Sequence, residues 1–181
     1  MDVSRRNFII GGVCAVAYAA IPRFSLASSY TDFKPLTLFN LHTSEKLAVK
    51  YRDQGQYFSS ALNDIKDFFR DYRNGEQHQI DPRLLDRVYA LDQYFGSNNT
   101  IELISGYRSP TTNSMLSERS SGVARNSFHM HGKAADIRFT GKNLNNMYEA
   151  AKSMNFGGTG IYGKSQFIHV DTGPVRSWVG R

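Results

Sequence analysis

The chain is predicted to fold as an α+β protein, with a small, mainly antiparallel sheet and helices packed against it. Three observations carry that prediction. Two alternating runs, 36–41 and 46–51, flank the polar Thr43, Ser44 and Glu45, which is the pattern of a β-hairpin. Two segments, 57–73 and 82–95, place apolar residues at helical spacing. Beyond Thr100 short strand-like pieces alternate with loops rich in Ser, Gly and Asn, so strands and helices are segregated along the chain.

In chain order the first element is a leader. Ser4-Arg5-Arg6-Asn7-Phe8-Ile9 is a twin-arginine pattern, and an apolar run follows from Phe8 to Ile21. Ser25, Leu26 and Ala27 supply the small residues of a cleavage site. The run is too short to span about 30 Å of hydrocarbon. Residues 1–27 are therefore expected to be a cleaved twin-arginine signal peptide, leaving residues 28–181 as one periplasmic domain with no stable membrane insertion. The single cysteine, Cys14, lies inside the leader and follows Val13, where a lipoprotein signal places a small residue. The mature chain accordingly has neither disulfide nor thiol chemistry.

The formal charge is +6, and loss of Arg5, Arg6, Arg23 and Asp2 with the leader leaves +4. That balance favours an anionic partner. Charges alternate in sign through much of the chain, as between Asp64 and Arg73, and no basic block stands out, so nucleic acid is not the expected partner.

Residues 28–35 read as a linker ending at Pro35, followed by the hairpin. Phe58, Ala61, Leu62, Ile65, Phe68, Phe69 and Tyr72 then predict an amphipathic helix over 57–73. A second helix opens at Asp81-Pro82, a cap followed by proline at the first helical position; it buries Leu84, Leu85, Val88, Leu91 and Phe95 and ends at Gly96. Residues 28–97 are thus scaffold. In residues 98–181 strands are expected over 100–104, 134–139 and 166–171, with one helix over 144–154. The long irregular stretch 117–128 points to a bordering site.

Five histidines are present: His42, His78, His129, His131 and His169. His42 and His78 fall in a hairpin and a polar loop, where surface positions are expected. The other three share the C-terminal half with Asp136. In Ser127-Phe128-His129-Met130-His131-Gly132-Lys133-Ala134-Ala135-Asp136, Gly132 allows a sharp turn. Ala134 shares a strand face with Asp136 and leaves room for an ion. In Phe167-Ile168-His169-Val170-Asp171, His169 and Asp171 share one face. Imidazole and carboxylate are good zinc ligands, and two histidines with one carboxylate leave a fourth position for water, as catalytic zinc sites do. From the residues alone, either His129 or His131 can supply the first ligand.

These motifs resemble the zinc D-Ala-D-Ala peptidases and their endopeptidase relatives, which share a core with hedgehog signalling domains. The family signature Ser-x-His-x-x-Gly-x-Ala-x-Asp is matched by Ser127, His129, Gly132, Ala134 and Asp136, and a later strand histidine is matched by His169. The resemblance extends through Ile104-Ser105-Gly106-Tyr107-Arg108-Ser109 and the tail 167–174, with Arg176 and Trp178 beyond. Asn40-Leu41-His42-Thr43, the stretch 68–73 and the leader are similar to the murein endopeptidase K group of Gram-negative bacteria.

The resemblance implies one zinc per chain, held by His129, Asp136 and His169 on the sheet, with His131 outside the ligand set. It implies peptidoglycan as the partner and hydrolysis of cross-links between stem peptides as the activity. Two alternatives remain: a D,D- or L,D-carboxypeptidase on the same peptides, and a zinc-containing peptidoglycan-binding module without turnover. Arg108, in a loop after a strand, is the expected donor to a carbonyl oxygen gathering charge. Many relatives place a glutamate or histidine shortly before the third ligand, where this chain has Gln166, Phe167 and Ile168. Asp171 is the nearest carboxylate, either as base or as support for a ligand histidine.

Overall fold

The computed structural model describes residues 35–120 and 122–180, so the expected leader and its expected cleavage point lie outside the described residues. Strands β1 (Leu36–Asn40) and β2 (Lys46–Val49) form the antiparallel hairpin, with Leu36 opposite Val49. A two-stranded ribbon follows, β3 (Arg52–Asp53) with β4 (Gln56–Tyr57). It takes Tyr57 out of the helix predicted to begin there, and α1 spans Ser59–Phe68.

Helix α1 also stops short of Arg73. Local bonds compete with the helix there: the Asp71 carboxylate accepts the backbone N–H of Arg73, and the Asp71 carbonyl accepts those of Asn74 and Gly75. The second carboxylate oxygen accepts the N–H of Ser109 and so ties this turn to the loop that carries Arg108. Helix α2 (Pro82–Tyr94) begins as expected, with the Asp81 side chain accepting the N–H of Arg83 and Pro82 in the first turn.

Strand β5 (Thr100–Ser105) leads to α3 (Pro110–Arg119), which replaces the start of the stretch predicted to be irregular. Ser109 caps α3 by accepting the N–H of Thr112. The buried residues of α3 are Thr112 and Asn113, so no apolar periodicity announces the helix. Next come β6 (Ala134–Phe139), α4 (Leu144–Ser153), β7 (Gly158–Tyr162), β8 (Phe167–Asp171) and β9 (Arg176–Val179). Strands β7 and β9 were not anticipated.

Seven strands form one sheet in the order β2-β1-β5-β6-β8-β7-β9. Its pairings are antiparallel except for β1 with β5 and β7 with β9, which run parallel. Leu38, Ile101, Leu103, Ile137, Ile168 and Val170 belong to the same buried cluster as Ile65, Phe69, Leu84, Val88 and Leu91 of the helices. Burying each such side chain stabilises the fold by about 1.5–3 kcal/mol. Because side chains alternate, the opposite face of β6 and β8 is left to Ala134, Asp136, His169 and Asp171.

Candidate metal centre

Asp136 and His169 are direct partners in the antiparallel register of β6 with β8, so their side chains leave the sheet side by side. His129 comes from a single 3-10 turn, Phe128–His131, capped by Ser127, whose hydroxyl accepts the N–H of His129. Gly132 ends this turn in the left-handed region at φ 62°, and a Cβ there would stand 2.0 Å from the Gln79 carbonyl oxygen. Only glycine permits both, so the turn closes directly onto the loop that precedes α2.

The three side chains converge. His129 Nε2 lies 3.2 Å from Asp136 Oδ1 and 3.2 Å from His169 Nδ1, and His169 Nδ1 lies 2.9 Å from Asp136 Oδ1. Among the described residues these three form a group whose candidate ligand atoms all lie within 4.8 Å of one another, and all three residues are buried.

The outer nitrogens decide what the inner ones are. His129 Nδ1 donates to the carbonyl of Gly106 at 2.7 Å, and His169 Nε2 donates to Asp171 Oδ2 at 3.0 Å. Each ring thus carries its proton on the outside and turns a lone pair inward. Two imidazole lone pairs and a carboxylate oxygen facing one another in a buried site repel, and a cation between them removes the repulsion. Ligands about 2.0–2.2 Å from a tetrahedral zinc lie roughly 3.3–3.5 Å from one another, which the 2.9–3.2 Å separations approach. The donor set and its spacing fit a divalent metal.

Where no cation sits between the three groups, a shared proton meets the same need, and their titration reflects it. Burial works against the Asp136 charge, yet His129 and His169 hold its carboxyl far below the ordinary range. Burial lowers the pKa of His129 and outweighs its pairing with Asp136. For His169 burial is outweighed by the bonds to Asp136 and Asp171, and its pKa rises.

Arg108 is buried beside the cluster, with Nη2 3.4 Å from Asp136 Oδ2 and 3.3 Å from Ser105 Oγ. Its Nε is buried without a hydrogen-bond partner among the described residues, so the guanidinium has donors to spare. The backbone N–H of Arg108 donates to the His129 carbonyl at 3.2 Å, which couples the arginine loop to the first histidine.

Asp171 is fully buried and lies outside the cleft lining. It accepts from the N–H groups of Gly158 and Gly173, from His169, and from both terminal nitrogens of Arg176. These donors outweigh burial and hold its pKa well below the usual carboxylate value.

His131 is exposed, with Nε2 3.3 Å from Asn126 Oδ1, and is not part of the converging group. His42 and His78 are exposed and stack on Tyr72 and Tyr107. The metal cluster opens into a cleft of about 640 Å³ walled by Phe128, Tyr162, Phe167, Arg176 and Trp178. Tyr162 was not singled out from the sequence, because the strand that carries it was read as loop.

A metal-dependent peptidase is the class that this fold and this site define. The family model described as Peptidoglycan L,D-endopeptidase MepK matches residues 28–178. The chain is 42% identical over 179 residues to Peptidoglycan L,D-endopeptidase MepK of Escherichia coli K12, covering 98% of each chain, and equally so to that of Shigella flexneri. It is 38% identical over 183 residues to Probable peptidoglycan L,D-endopeptidase MepK of Haemophilus influenzae, covering 99% of this chain and 98% of that one. The chain belongs to the peptidoglycan L,D-endopeptidase MepK family.

Proposed function

We propose that this protein is a zinc-dependent peptidoglycan L,D-endopeptidase that hydrolyses peptide cross-links between stem peptides, in the periplasm, as one domain spanning residues 28–181. The observation that carries this reading is the convergence of three inward lone pairs, on His129 Nε2, Asp136 Oδ1 and His169 Nδ1, at the base of the cleft. The substrate and the L,D bond type are supported by the names of the relatives. The twin-arginine pattern at Arg5 and Arg6 supports export by that route.

His129, Asp136 and His169 would hold the zinc, which when bound lowers the pKa of its water to about 7 and polarises a carbonyl. The chain's own groups do the rest. Gly106 and Asp171 fix the tautomer and orientation of the two histidines. Arg108 donates to the scissile carbonyl oxygen as it becomes tetrahedral. Asp171 acts as support rather than as base, since every one of its oxygens is already engaged by donors that favour its charge.

Digestion of purified cross-linked peptidoglycan, with mass analysis of the released muropeptides, tests the proposal. Cleaved cross-linked dimers are expected from the zinc-loaded protein and none after chelation. A protein that binds zinc and peptidoglycan yet releases no fragment is a binding module instead.

A further inference from the structure

Tyr162 ends β7 opposite Phe167 of β8 and stacks on it, with ring centroids 4.6 Å apart. From β9, Trp178 donates its indole N–H to the Tyr162 hydroxyl oxygen at 3.2 Å. The indole also packs on the His169 ring, at 5.2 Å between centroids. It fits because its register partner on β7 is Gly160, where a Cβ would stand 2.5 Å from the indole ring. Two glycine- and tail-borne strands that no apolar pattern announced thus exist in part to set this pair beside the metal cluster.

A phenolic hydroxyl accepts through its lone pairs and donates its one proton. Trp178 engages the oxygen as acceptor, and among the described residues no acceptor is found for the Tyr162 proton. Tyr162 lines the same cleft as Arg108, His129, Asp136 and His169. Burial pushes its pKa up despite the Trp178 bond, so at neutral pH it is a hydrogen-bond donor and not a base.

We propose that Tyr162 is a catalytic residue whose hydroxyl, oriented by Trp178, donates a hydrogen bond to the scissile carbonyl oxygen as that oxygen gathers charge. The inference rests on the peptidase reading of the cleft. Arg108 and Tyr162 then share the oxyanion, one as a cation and one as a neutral donor, and no proton changes hands in the step assigned to Tyr162.

Tyr162→Phe keeps the ring and its stack on Phe167 and removes only the hydroxyl. With zinc-loaded mature protein, kcat on a cross-linked muropeptide is expected to fall on the order of 100-fold, with KM nearly unchanged. Calorimetric affinity for a phosphinate analogue of the scissile bond, a mimic of the tetrahedral state, should fall by a similar factor, while affinity for a product stem peptide stays the same. Trp178→Phe should cause a smaller loss and add nothing on top of Tyr162→Phe, because its effect runs through that hydroxyl.

A raised KM with unchanged kcat overturns the proposal, as does an unchanged phosphinate affinity per zinc-loaded folded molecule, whatever the melting temperature does. Fully additive losses in the double variant also overturn the orienting role of Trp178. A wild-type protein that neither cleaves muropeptides nor binds the phosphinate counts against the peptidase reading itself, whereas a wild type that does both alongside an unaffected Tyr162→Phe counts against Tyr162 alone.

Discussion

Residues 36–97 and residues 100–180 bury different things. Among the described residues, the first segment buries Asn40, Asp71, Arg87 and Asp92 as its polar side chains, whereas the second buries ten, from Arg108 to Asp171. Both segments contribute apolar side chains to one shared core, whose non-directional contacts tolerate substitution of similar volume. The second adds to that core a larger set of buried groups that cost free energy when left unpaired and are therefore held by directed hydrogen bonds.

The two segments nevertheless meet at polar joints. Arg87 of α2 donates to the carbonyls of Gly158, Asp171 and Ala151 and to Thr159 Oγ1, so it clamps the ends of β7 and β8 just behind Asp171. Burial lowers its pKa to about 10, which still leaves it charged at neutral pH. Asp71 similarly holds the backbone of Ser109 beside Arg108. Two of the four buried polar groups of the scaffold, Asp71 and Arg87, thus help to position the chemistry, while Asn40 and Asp92 hold turns away from the site.

The largest expected effect breaks the site and spares the scaffold. Ala at His129, Asp136 or His169 should reduce metal content from one per chain to background and abolish muropeptide release, as read by elemental analysis and digestion. His131→Ala should retain the metal. Loss of metal from His131→Ala but not from His129→Ala would reverse the assignment of the first ligand.

The reciprocal experiment breaks the scaffold and spares the site. Leu84 is fully buried in α2, and Leu84→Ala should cost about 2–5 kcal/mol of stability in a denaturant titration. Metal content per folded molecule should stay at the wild-type level. A loss of metal in that variant, under conditions where it is folded, would show that the two segments are more tightly coupled than their contacts indicate.

Arg108→Ala tests the donor proposed to act in the reaction and not in the fold. Metal content should remain while kcat/KM falls on the order of 100-fold or more. Equal loss of metal and activity would make Arg108 a partner of Asp136 in holding the ion.

The smallest effect is expected at Asp171, which is hydrogen-bonded to His169 and proposed to support it. Asp171→Asn should weaken metal affinity by roughly tenfold or more, while turnover of the fully loaded protein changes less. The folded-state pKa of Asp171 is depressed, so the stability it adds is complete above the unfolded value of about 3.9 and is lost as pH falls below it. Asp171→Asn should therefore flatten the acid side of the stability profile measured by thermal melting. Retained metal with nearly abolished turnover would restore Asp171 as the base.

Much of this was legible in the order of residues. The alternation of 36–51 specified the hairpin, Asp81-Pro82 with its periodic leucines specified α2, and Ile168 and Val170 against His169 and Asp171 specified which face of β8 is apolar. Each is a signal carried within a few residues, because strand alternation, helix periodicity and caps are local properties of the backbone. The residues alone pointed to Asp136 and His169 and left His129 and His131 open, and the resemblance to the zinc peptidase signature selected His129. Other features left no such mark. Helix α3 buries Thr112 and Asn113, and β7 reads Gly158-Thr159-Gly160, so neither carries the apolar pattern by which elements are recognised. Only the tertiary structure decided that Asp136 faces His169 across β6 and β8, that Gly106 and Asp171 turn the two imidazole lone pairs inward, that Asp171 is consumed by five donor atoms, and that Arg87 reaches from the scaffold to β7 and β8. These are pairings between residues distant in sequence, and their geometry is set by the register of strands and the docking of loops, which no local spacing encodes.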